Sequence, residues 1–270
     1  MGHPTPRAST WPDPHLPGRR RLLRLGGAAL GAAAGGGSLL LGGCASTAPT
    51  GPARSEVPLF STSSRLGALP DGWRLHVTRP DRPVTGYGLE RVDARVALHA
   101  QSQSSTSGVR CDVDIDLAAR PWLRWEWRVD RVPAEATVAD DDQDDCPARL
   151  VLGFAGDPAR LPLRDRLFAD QVELFTGEPL PFATLCYVWD GQAAPESVLP
   201  YARSSRIRYL VVESGSTGTG QWHAYRRNVV ADYQRVYGEA PGRLVGVGVL
   251  TDSDDLKGSA EAWYGDLVVE

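Results

Sequence analysis

Carboxylates are the side chains of this sequence best placed to do chemistry. Asp140, Asp141, Asp142, Asp144 and Asp145 share one six-residue stretch, and Asp252, Asp254 and Asp255 form a second cluster near the end of the chain. Charges this close repel one another unless water or a counter-charge intervenes. Hard oxygen donors at alternate loop positions also suit Ca²⁺, which takes about six to eight of them. Asp140, Asp142, Asp144, Asp145, Asp252 and Asp254 are therefore the candidate Ca²⁺ ligands. Neither cluster has the loop glycine and closing glutamate of an EF-hand, so a solvated acidic turn is the competing reading.

Arg149 stands just after the first cluster. Paired with Asp144 or Asp145, it would pin the acidic loop. Left free, it would join Arg227, Asn228 and Asp232 in a cleft that reads hydroxyls or a carboxylate through bidentate bonds. Tryptophans are the other ligand-type residues, because an indole face stacks on the C–H face of a sugar. Trp122 and Trp189 are the candidates. Trp125 and Trp127 share a face with Leu123 and Val129, which assigns them to a core.

Signatures of nucleophilic, zinc-dependent and phosphate-cradling catalysis are missing: the sequence has no Gly-x-Ser-x-Gly, no His-Glu-x-x-His and no glycine-rich phosphate loop. Glycosidase chemistry needs only two carboxylates about 5 to 9 Å apart. Glu126, Asp145, Glu173 and Glu213 keep open an alternative, a carboxylate-dependent hydrolase of envelope or extracellular polysaccharide. A third reading, a structural partner of another envelope protein, would require an exposed apolar patch.

The elements that must position these groups read mainly as strands. Trp73 to Val77 and Arg95 to Gln103 alternate. So does Val109 to Leu117, where Val109, Cys111, Val113, Ile115 and Leu117 interleave with Arg110, Asp112, Asp114 and Asp116. Period two with charged outer positions means one buried and one wet face, the mark of an antiparallel sheet. Trp122 to Val129, Leu150 to Phe154, Phe182 to Trp189, Arg206 to Val212, Leu244 to Leu250 and Ala262 to Val269 continue the series. Two segments change period. Arg164 to Phe175, stopped by Gly177, is expected to be helical. Gln221 to Gly238 places Trp222, Tyr225, Val229, Tyr233 and Val236 three or four apart, which predicts an amphipathic helix with Arg226, Arg227, Asn228 and Asp232 on its polar side. About nine or ten strands and two interrupting helices, without βαβ order, predict an all-β dominated fold: an antiparallel β-sandwich, jelly-roll-like.

The N-terminus reads as an export signal. Arg19-Arg20-Arg21-Leu22-Leu23-Arg24 has the twin-arginine form, and the Gly/Ala-dominated run Leu25 to Leu41 is too weakly apolar for a spanning helix. Leu41-Gly42-Gly43-Cys44 has the form of a lipobox, in which the cysteine thiol takes a diacylglycerol. The expected organisation is a cleaved segment 1–43, lipidation at Cys44, a flexible Ser/Thr/Pro/Gly/Ala tether 44–56, and one domain over 57–270. Ala45 is similar to the outer-membrane sorting pattern. The expected place is the bacterial cell envelope, on the outer membrane facing the periplasm, held by acyl chains rather than a spanning helix. A net charge of −4 with Lys257 the sole lysine excludes a nucleic-acid partner on electrostatic grounds. In an oxidising compartment one disulfide is expected. Cys111 occupies an inward strand position, which leaves Cys146 and Cys186 as the candidate pair.

The blocks PWLRWEWRV, DDCPARLVLGF, LPFATLCYVW, WHAYRRNVVADYQRVYG and VGVLTDSDD…AEAWYGDLVV together resemble the bacterial secreted proteins grouped as domain-of-unknown-function family 3047, from about Trp73 to the C-terminus. The resemblance implies a sandwich like the sugar-binding jelly rolls and brings no activity or catalytic residue. The last block, with Trp263, Tyr264 and Asp266, is similar to the closing strand of carbohydrate-binding jelly rolls. The expected function is non-catalytic binding of a glycan or other polyhydroxylated ligand.

Overall fold

The computed structural model describes residues 53–270. The export segment, Cys44 and the tether as far as residue 52 lie outside the described residues. In chain order the strands are β1 (Arg74–His76), β2 (Gly86–Val92), β3 (Arg95–Gln103), β4 (Thr106–Ile115), β5 (Trp122–Val129) and β6 (Ala148–Phe154). Helix α1 (Leu163–Thr176) is followed by β7 (Ala183–Asp190), β8 (Val198–Tyr201), β9 (Ser204–Ser214) and β10 (Trp222–Asn228). Helix α2 (Val229–Tyr237) precedes β11 (Leu244–Asp252), β12 (Ser259–Tyr264) and β13 (Val268–Val269).

Two sheets face each other as a jelly-roll-like β-sandwich. One is seven-stranded in the order β1-β4-β11-β6-β7-β9-β8, and the other runs β10-β5-β12-β3-β2 with β13 added beside β5. The alternation read from the sequence sets the layers. Cys111, Val113 and Ile115 of β4, and Leu123, Trp125, Trp127 and Val129 of β5, face the shared core. An aromatic stack crosses it, with Trp125 5.0 Å from Tyr187 on the opposite sheet and 4.9 Å from Tyr225 on its own. Strand β7 is buried along its whole length. The acidic loop covers its outer side, where Val138 and Cys146 pack on Cys186, Val188, Tyr209 and Val211.

Helix α1 forms where expected and ends at Gly177, whose positive φ of 73° suits glycine. The second helix is shorter than its periodicity suggested. Residues Trp222–Asn228 are a strand that pairs with β5 from Trp222 opposite Arg128 to Asn228 opposite Trp122. The helix starts only at Val229, where the Asn228 side chain accepts the Ala231 N–H at 2.9 Å. A three-to-four spacing here runs across a strand–helix junction. Strands β2 and β8 were not read from the sequence, the expected last strand Ala262 to Val269 is divided into β12 and β13, and the pairing is not wholly antiparallel: β7 and β9 run parallel. The chain joins the sheet three residues before the expected start of the domain, since Arg54 bridges Val113 and its carbonyl accepts the Asp114 N–H at 2.8 Å.

The candidate disulfide does not form. All three described cysteines are buried free thiols. Cys186 sits opposite Val151 in the β6–β7 ladder, while the Cys146 thiol points to the Trp189 carbonyl at 2.9 Å. Among the described residues no helix is long and apolar enough to cross a membrane.

Candidate functional site

Arg149 takes the structural role open to it. Its Nη2 lies 2.9 Å from Asp144 Oδ1 and 2.8 Å from Asp252 Oδ2, in a buried position. Asp252 also accepts the Cys146 N–H at 2.7 Å. The arrangement fastens the acidic loop to the end of β11. Burial pushes the Asp252 and Asp144 carboxyls up, against the pull of Arg149. Burial alone would lower the Arg149 pKa, and the two carboxylates beside it reverse that, so its charge is held firmly.

The other cleft candidates are dispersed or already paired. Trp189 is fully buried between the sheets, so it cannot serve as a stacking surface. Arg227 makes bidentate pairs with Glu196 at 2.6 and 3.1 Å and with Asp232 at 2.7 and 2.9 Å. Asp232 is buried and also accepts the Tyr187 hydroxyl at 2.8 Å. Asn228 is the cap of α2. This cluster locks α2 to the sandwich, and hydrogen bonding from Arg227 first, then from Arg235, holds Glu196 down at about 2. The four acids offered for hydrolysis also lie apart: Glu126 pairs with Arg95, Asp145 with backbone N–H groups, Glu173 is exposed on α1, and Glu213 accepts the Tyr225 hydroxyl at 3.0 Å.

Of the six metal candidates, two come together. Asp145 and Asp254, joined by Asp255, each offer an oxygen within 4.8 Å of the others. Asp144 and Asp252 are engaged with Arg149, while Asp140 and Asp142 are exposed and bonded to each other. Counter-charge is already present at the three-acid group. Arg79 Nη1 lies 3.4 Å from Asp254 and 3.5 Å from Asp255, and Arg82 Nε lies 3.4 Å from Asp254. Burial first, then the charges of Asp254 and Asp145, raises the Asp255 carboxyl to about 6. A folded-state pKa above the unfolded value of about 3.9 means that the fold gains stability as pH falls from about 6 toward 4. Asp255→Asn is accordingly expected to melt above wild type at pH 7.5 and to lose that margin by pH 4.5. In the same assay a melting temperature unmoved by millimolar Ca²⁺ removes the metal from this group, and a rise that Asp255→Asn abolishes places it there.

The best-formed polar and aromatic surface is the outer face of the six-stranded sheet. Cross-strand register aligns Trp222 of β10, Arg128 of β5, Trp263 of β12, His99 of β3 and Gly88 of β2 in one transverse row. His99 stacks on Trp263 at 4.8 Å with the rings 1° from parallel, and Arg128 lies over the same indole at 4.9 Å. The imidazole sits between two acids, 2.9 Å from Glu90 and 2.7 Å from Glu261. Arg95 covers Trp222 at 4.6 Å, and Arg226 covers Trp122 at 4.1 Å. The arginines are in turn held by acids: Arg95 by Glu126 at 2.6 Å, Arg128 by Asp93 at 3.1 Å and Arg226 by Glu270 at 2.9 Å. Asp93 also accepts the Trp222 indole N–H at 3.0 Å.

Trp122 and Trp222 are half-buried on this face, whereas Trp263 is nearly covered. A pyranose could stack on Trp122 or Trp222 where Arg226 or Arg95 gives way, and the surrounding donors and acceptors can bond hydroxyls. Alternation along β5 puts Trp122 on this face, opposite Trp125 and Trp127. Sequence reasoning missed Trp222 by assigning it to a helix, and nothing local to the sequence showed that five strands would line these residues up.

Residues 71–268 match a family model described as protein of unknown function (DUF3047). No curated protein matches the sequence. Similar solved structures include the family 11 carbohydrate-binding module of the cellulosomal cellulase Lic26A-Cel5E of Clostridium thermocellum, at 8% identity and a TM-score of 0.37 over 80% of this chain and 95% of that one. The endoglucanase 3 of Trichoderma harzianum, from family GH12, shows 9% identity and a TM-score of 0.39 over 76% and 93%. The xyloglucanase domain of NopAA, a type three effector from Sinorhizobium fredii, shows 9% identity and a TM-score of 0.40 over 80% and 97%. Scores this low transfer neither ligand nor reaction.

Proposed function

We propose a binding function for this chain, which belongs to the DUF3047 family, a family of proteins of unknown function. The outer face of the six-stranded sheet binds a glycan or related polyhydroxylated ligand. A lipid on Cys44 tethers the domain to the bacterial envelope, on the periplasmic side of the outer membrane, and the acidic group at Asp145 and Asp254 takes Ca²⁺ if the melting test above is positive.

The observation that carries the binding reading is the transverse row from Trp222 to Gly88, with Trp122 beside it. The row crosses five neighbouring strands, which suits an extended chain better than an enclosed small molecule. Two or three rings along a polymer give useful affinity through repetition.

Affinity electrophoresis through gels of soluble polysaccharides, with a peptidoglycan pull-down, tests this. Trp122→Ala and Trp222→Ala together are expected to weaken retention by about tenfold or more, as loss of aromatic anchors does. Wild-type protein that is retarded by no polymer would sink the proposal. The hydrolase reading draws on Glu90 and Glu261, the acids that flank one group on this face, although the His99 ring fills the space between them. Release of reducing ends that Glu261→Gln abolishes would move the assignment to hydrolysis.

A further inference from the structure

We infer that the outward face of α1 lies in the headgroup layer of the membrane to which the chain is tethered. Leu163, Leu167, Leu174 and Phe175 are 63%, 59%, 80% and 66% exposed. At 3.6 residues per turn the three leucines fall within an arc of roughly 40°. The opposite face, with Asp165, Phe168, Ala169, Val172 and Thr176, is the one the domain covers. The helix cannot roll its leucines inward. Buried Asp165 accepts the Ser204 hydroxyl at 2.9 Å and the Ser205 N–H at 2.8 Å. The result is a helix whose three leucines face solvent, with exposed Asp170 beside them.

Three observations favour a lipid surface as the occupant. Charge is the first: Arg164 and Arg203 line, with Leu163, Leu167, Phe168 and Gln171, a shallow recess of about 540 Å³, and exposed Arg166 stands on the other flank of the stripe, so three arginines border it against two exposed acids, Asp170 and Glu173. Apolar side chains between arginines suit the boundary of an anionic leaflet. The second is position. Glu178, two residues past α1, accepts from Arg110 at 3.0 Å and lies 3.1 Å from His76 and 3.5 Å from Arg74. Arg74 and Arg110 both pair with Asp112, whose carbonyl accepts the Arg54 N–H. One ion-pair network thus joins the end of α1 to the point where the chain leaves the sheet.

The third is length. Ten residues separate Cys44 from Arg54, a reach of at most about 35 Å, so a lipid at Cys44 holds α1 near the bilayer at high effective concentration, and weak partitioning suffices. This inference rests on the reading of Cys44 as lipidated.

A bimane label on Leu167→Cys in the full chain, reconstituted into phosphatidylethanolamine–phosphatidylglycerol vesicles containing doxyl lipid, tests it. The three domain cysteines are buried, and Cys44 would be capped. The label is expected to be quenched by about twofold or more, while the same label on Ala224→Cys, exposed on the tryptophan face, is not. Equal quenching at both sites, or at neither, overturns the docking. So does a blue shift at position 167 without quenching, which would assign the stripe to a second copy or a protein partner. Vesicle flotation and the mass of Cys44 report the anchor separately: flotation without quenching leaves the anchor and refutes the docking, and quenching with an unmodified Cys44 does the reverse.

Discussion

Arg149→Met is expected to destabilise the domain by about 3–5 kcal/mol, because removing one partner of a buried ion group leaves the others uncompensated. For a domain of this size the melting temperature should fall on the order of 10 °C. The orphaned groups would be Asp144 and Asp252, both of which reach Arg149 Nη2 within 3 Å. Burial already pushes both carboxyls up, so each would take a proton more readily once the guanidinium is gone. The loss should therefore be largest at neutral pH and shrink as the solution is made acidic. Urea unfolding at pH 7 and pH 4.5, with the m-value compared to confirm two-state behaviour, reads both effects. A loss below about 1 kcal/mol at pH 7 would mean that the acidic loop opens to water and that Arg149 does not fasten it.

Trp127→Ala is the second large expected loss, at about 3–5 kcal/mol for truncating a buried tryptophan. The ring is fully buried and meets Trp125, Tyr225 and Tyr264 edge-on, at 5.7, 5.5 and 6.5 Å. Trp122→Ala, five residues earlier on the same strand, is expected to cost about 1 kcal/mol or less, since a half-buried ring lies under an exposed arginine. The pair divides stability from binding: Trp127→Ala should unfold early and keep its ligand while folded, and Trp122→Ala should do the opposite. Equal destabilisation by the two would contradict the assignment of one ring to the core and one to the surface.

What could be read from the sequence follows the range of the interactions involved. Alternation within β4 and β5 is local, so it gave the layers and sorted Trp125 and Trp127 from Trp122. The stop at Gly177 and the proximity of Arg149 to Asp144 are local too. The stretch from Trp222 to Asn228 misled because it carries few β-branched residues, and only its pairing with β5 makes it a strand. The row that links Trp222, Trp263 and His99 depends on the register of five strands drawn from residues as far apart in sequence as Gly88 and Trp263, which no window of sequence contains. The thiols were not legible either, since Cys146 packs near Cys186 but its thiol turns to the Trp189 carbonyl.

The tryptophan row and α1 occupy opposite outer faces of the sandwich. Two packed sheets and a helix set them roughly 20 Å apart, more than two Debye lengths at physiological salt, where that length is about 8 Å. The surface potential of anionic lipid beneath α1 is therefore screened before it reaches Arg95, Arg128 and Arg226. Recognition on the far face should depend on salt through its own charges and be indifferent to the lipid composition below.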